Sequence, residues 1–149
     1  MRARAVVHYA KTAQQAIRDA RTRIEKADSS DNRYLLALAL SRGEKHEQAV
    51  NQMRVLYENN DNSILLTFSY AEILISANRL EEANQILEKS LRLNPSNAPL
   101  SMLLAQSLQQ EGDFSEAQKI LWEQARLRPI DTDISVSYTH LTLPTTPYV

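Results

Sequence analysis

"LEEANQILEKSLRLNP" (80–95) is echoed by "FSEAQKILWEQARLRP" (114–129), thirty-four residues later. Seven of the sixteen aligned positions are identical, including both alanines, both Ile-Leu pairs and both prolines. The same spacing extends upstream. Ala37, Ala71 and Ala105 are 34 apart, as are Ala49, Ala83 and Ala117. Leu40, Leu74 and Leu108 keep the spacing, as do Met53, Leu87 and Leu121, then Asp61, Pro95 and Pro129. A period of this length with small-residue columns predicts pairs of helices stacked in an array.

Each copy divides into two helical stretches. "ILLTFSYAEILISA" (64–77) is apolar around much of its circumference, as a helix contacted on two sides must be. "RLEEANQILEKSLRL" (79–93) carries one stripe, Leu80, Ala83, Ile86, Leu87, Ser90 and Leu91, with charges mainly outside it. Asn78 with Glu81, and Asp113 with Glu116, fit capping boxes at the start of second helices. Gly43 and Gly112 fall where first helices must stop. Pro95 and Pro129 end second helices, because proline disfavours helical geometry in the residue before it. The alanine columns predict close helix crossings, since a side chain larger than methyl would push the axes apart. Ala71 and Ala83 are assigned to one such crossing. Upstream, "RARAVVHYAK" and "TAQQAIRDARTRIEKAD" read as two further helices, with Thr12 and Gln15 as a capping box and "DSSDNR" (28–33) as a turn-rich join.

Composition narrows the function classes. The 149 residues are 43% hydrophobic and 23% charged, which suits one domain or part of a larger array. A formal net charge of −1 lacks the basic surplus of a nucleic-acid binder. No apolar run is long enough to span a membrane, and no signal peptide is expected, since no apolar stretch follows Arg2-Ala3-Arg4. The absence of cysteine removes disulfides and thiolate sites but does not choose a compartment.

The repeat resembles the tetratricopeptide repeat. Small residues at repeat positions 8 and 20 and proline at position 32 match that pattern in residues 64–129. Arg33, Thr67 and Ser101 stand where an aromatic residue is usual, and Leu56, Ser90 and Gln124 where alanine is usual. The resemblance implies an all-α solenoid of stacked antiparallel helix pairs in a right-handed superhelix. An incomplete helical repeat occupies 1–27. Three repeats follow at 28–61, 62–95 and 96–129, and a further one starts at 130–134. The concave surface would bind a protein or peptide, lined by first-helix positions 2, 5, 9 and 12. These give Asp31, Tyr34, Leu38 and Ser41 in the first repeat. They give Leu65, Phe68, Glu72 and Ile75 in the second, and Pro99, Met102, Gln106 and Gln109 in the third. The carboxylate clamp of chaperone adaptors needs Lys and Asn at positions 5 and 9. Neither occurs here.

The wording of residues 2–134, "RARAVVHY…AQQAIRDARTRI" with "NRYLLALALSRGEKHEQAV", is similar to the C-terminal repeat region of bacterial periplasmic zinc metalloproteases of the beta-barrel assembly-enhancing type. That narrower resemblance implies a periplasmic location, an upstream protease domain carrying zinc, and outer-membrane assembly components as partners. This chain is expected to hold no cofactor and no catalytic residues. "HEQAV" (46–50) offers His46 and Glu47, but the second zinc-ligand position is Val50, so a zinc site cannot form from it. His8 and His140 are isolated, and no Gly-rich phosphate loop occurs. From Ser135 the pattern is lost: "SVSYTHLTLPTTPYV" has no Asp, Glu, Lys or Arg. It resembles translated sequencing-adapter read-through. It is read as a non-native, unpacked tail, and the chain as a fragment at both ends.

Overall fold

A computed structural model describes residues 2–127, with side chains from residue 11 onward. Among the described residues there are seven helices and no strands. They are α1 (Arg2–Lys26), α2 (Ser30–Arg42), α3 (His46–Asn59), α4 (Ile64–Ser76), α5 (Leu80–Leu93), α6 (Ala98–Glu111) and α7 (Phe114–Leu127). The fold is an all-α solenoid of helix pairs, α2–α3, α4–α5 and α6–α7. Each helix packs mainly on its sequence neighbours, and α4 also reaches α6.

The 34-residue period is written into the breaks as well as the core. Ser29, Ser63 and Asn97 are spaced by it, and each caps a first helix. Their side chains accept hydrogen bonds from the backbone N–H groups of Asn32, Leu66 and Leu100 at 3.3, 3.3 and 3.1 Å. Each satisfies a helix-start donor that would otherwise lack a partner. At the opposite ends Glu44, Asn78 and Gly112 take positive φ values of 58°, 58° and 91°. The following residues, Lys45, Arg79 and Asp113, then donate back to Leu40, Leu74 and Leu108 at 2.8–2.9 Å. This is the left-handed helix stop, in which the chain reverses and the last carbonyls are satisfied.

These breaks correct several expectations. Asn78 does not open α5; it closes α4, because its amide side chain tolerates the left-handed region. Arg79 is the residue before α5 and gives no side-chain cap. Asp113 does cap, accepting from the Glu116 N–H at 3.1 Å, while Glu116 turns to Lys119. Gly43 has an ordinary φ of −86°, so it is not required by backbone geometry. Its smallness is used sideways: a Cβ there would stand 2.9 Å from Ile17 Cδ1 of α1.

The N-terminal segment forms one helix rather than two. Thr12 lies inside α1, since Ala, Lys and Gln on both sides favour continuation and no breaker stands between them. The join expected at 28–33 shrinks as well. α2 begins at Ser30, and Arg33 folds back onto Asp28 through two 2.6 Å contacts.

The core follows the columns. Ala37, Ala71 and Ala105 are 0%, 0% and 2% exposed, and Ala49, Ala83 and Ala117 are all 0%. Met53 and Leu87 are 0% exposed, whereas Leu121 is 39% exposed because no described helix follows α7. Two departures from the repeat pattern compensate each other. Ser101 Oγ donates to Gln124 Oε1 at 2.7 Å in the interior, and Gln124 Nε2 donates to the Ser96 carbonyl at 3.2 Å. Asp61, standing where the later repeats have proline, holds Lys89 of α5 at 2.5 Å. That partner holds the Asp61 carboxyl below its ordinary range. The expectations for 130–134 and 135–149 lie outside the described residues.

Candidate binding groove

The first helices α4 and α6 run side by side, and their half-buried and exposed residues form two rows in step. Phe68 and Glu72 are four residues apart, so they stack one turn above the other on the same face of α4. One period on, Met102 and Gln106 do the same on α6, with Gln109 a further turn along. Phe68, Glu72, Met102, Gln106 and Gln109 all line one open cavity of about 530 Å³. Pro99, at the start of α6, completes that side.

The remaining residues assigned to the groove are placed elsewhere. Tyr34 is half-buried, and its hydroxyl lies 2.8 Å from Ser69 Oγ, tying α2 to α4. Leu38 is half-buried against the core. Leu65 is 63% exposed but outside the cavity. Ile75 is a correction: at 8% exposure it belongs to the core, not to the groove.

The cavity also uses Leu103, Ala105 and Leu121, which the groove positions 2, 5, 9 and 12 did not include. Ala105 and Leu121 belong to interior columns. Leu121 meets solvent here because the third pair is the last described, a signal available in the sequence only from the count of repeats, while Ala105 stays buried beneath the cavity.

Electrostatically the site is one-sided. Glu72 is exposed, and partial desolvation against the helix face raises its carboxyl above the ordinary value. Its carboxylate meets neither a donor nor a cation among the described residues. Neither α4 nor α6 contains lysine or arginine. Val50 is 0% exposed in the core, and the described residues contain no group of three His, Cys, Asp or Glu able to hold a metal ion. No helix among them is long and apolar enough to cross a membrane.

Comparisons with known proteins agree with this architecture. The tetratricopeptide repeat model matches residues 74–129. The family described as anaphase-promoting complex, cyclosome, subunit 3, matches residues 8–90. No curated protein matches the sequence. Among solved structures, MamA MSR-1 is similar at 23% identity, over 80% of this chain and 70% of that one, with a TM-score of 0.66. MamA AMB-1 is similar at 22% identity, over 80% and 72% of the two chains, with a TM-score of 0.65. At these identities the likeness is one of fold. Repeat period, helix pairing and family matches together place the chain in the tetratricopeptide repeat family, whose arrays are protein-interaction modules.

Proposed function

We propose that the α4–α6 groove holds a partner polypeptide, and that the array is the docking region of a bacterial periplasmic zinc metalloprotease acting in outer-membrane protein quality control. The observation that carries the groove is its cavity, where half-buried Phe68 and exposed Met102 offer an apolar floor beside polar side chains. Ligand sites commonly combine these two features. The protease association rests on the wording of residues 2–134. Zinc does not fit the described residues of this chain, since the second ligand position of "HEQAV" is a core valine. The metal and the peptide-bond chemistry would therefore belong to another domain, and this region would bind without catalysing.

The second reading is a scaffold with no protease domain. The family matches support its core claim, a repeat array, without any protease domain being needed. The reading frame upstream of Met1 separates the two, through the presence or absence of His-Glu-x-x-His.

The groove itself is tested by Phe68→Ala. The full chain is used as bait on a bacterial envelope extract, beside Glu88→Ala on the outer face of α5. The expected result is capture of outer-membrane assembly components by the native chain and by Glu88→Ala. Phe68→Ala should bind them more weakly by about 2 kcal/mol, the scale of an aromatic anchor. Thermal melts of the three proteins separate lost binding from lost folding. Equal capture by Phe68→Ala would remove the groove as the docking surface.

A further inference from the structure

We infer that the polypeptide held in this groove presents a lysine or arginine to Glu72, beside an apolar side chain seated between Phe68 and Met102. The inference rests on the groove reading above and adds the chemistry of its occupant.

Charge is the first argument. Among the described residues, Glu72 is the only charged one lining the cavity. It is also the only charged residue of α4, and α6 contributes no cation. An acidic segment would meet a carboxylate with nothing to offset it. A neutral segment would leave that carboxylate partly withdrawn from water and unpaired, which is unfavourable. Partial desolvation disfavours the charged form of Glu72 although the side chain is exposed, so the carboxylate gains from a cation brought to it.

Geometry is the second argument. Phe68 and Met102 occupy equivalent positions of adjacent first helices, and so do Glu72 and Gln106. The floor is thus an apolar row beside a polar row, about 6 Å apart, the separation of residues one turn apart on a helix face. An extended peptide rises about 3.3 Å per residue, so side chains two apart match both rows from one face. Gln106 and Gln109 each carry an amide that can both donate to and accept from the main chain of such a segment.

The test is selection of a random twelve-residue peptide display library on the full chain, run in parallel on Glu72→Gln and Glu72→Lys. Glu72→Gln keeps the side-chain shape and removes the charge, so it should fold and melt no lower than the native protein. The native chain should enrich peptides with Lys or Arg two residues from an apolar residue. Glu72→Gln should bind those same peptides about tenfold more weakly, the effect of losing a charge-assisted hydrogen bond. Glu72→Lys should shift the selection towards Asp or Glu. Apolar peptides that are lost with Phe68→Ala, without basic enrichment or with enrichment indifferent to Glu72, would overturn this inference and leave the groove standing. Failure to select any peptide would overturn both.

Discussion

Glu44, Asn78 and Gly112 do the same task with three different side chains. All three adopt the left-handed conformation, which costs a residue bearing a Cβ roughly 1–2 kcal/mol relative to its preferred region. Glycine is free of that cost, and asparagine is subject to less of it than glutamate. Glu44→Gly is therefore expected to raise stability by about 1 kcal/mol, and Asn78→Gly by less. Gly112→Ala, with open space around it and only the backbone to strain, should lower stability by about 1 kcal/mol. Urea denaturation of the three variants checks the order, and no change at Glu44 would contradict it. This column was hidden in the sequence because its members share neither size nor charge. Asn78 in particular suits a helix start and a helix stop equally well, and only the backbone decides between them. The candidate groove was legible at Phe68, Glu72, Met102, Gln106 and Gln109, where repeat position fixes the direction a side chain takes. It was not legible at Ile75, because position within one helix does not tell how deeply the packed array buries a side chain.

The helices themselves were readable wherever apolar periodicity met a breaker. α2 to α7 were all visible in the spacing of alanines and leucines and in the turn residues between them. α1 was not, since its two halves were divided at a capping signature that no breaker supports. The alanine columns give the sharpest test of helix packing. Ala83 is 0% exposed on α5, whereas Gln85 on the same helix is exposed. Ala83→Leu places three extra carbons at a closed contact and should destabilise by about 1–3 kcal/mol. Gln85→Leu should stay within about 0.5 kcal/mol, the range of ordinary surface changes. Chemical denaturation reads both, and equal effects would show that the columns reflect helix propensity rather than close approach.

At the scale of the molecule, the helices touch their neighbours in sequence and, between α4 and α6, the next repeat. No contact of comparable extent joins α1 to α7. Such a chain is held together in one dimension, and its stability approximates a sum over units and adjoining interfaces. Removing residues 62–95 would therefore bring α6 against α3, where Ala49 and Met53 stand in the places of Ala83 and Leu87. The shortened protein should fold with the same helix content per residue and melt cooperatively at a lower temperature. Removing only 62–78 would join two second helices and leave the faces of α3 without their cover, so that variant should not melt cooperatively. Circular dichroism with thermal melting distinguishes the two deletions. The wider consequence concerns how such a protein changes over generations. A duplication or loss in steps of one unit keeps every junction intact. The reach of the groove can therefore lengthen or shorten while the residues that recognise a partner stay as they are.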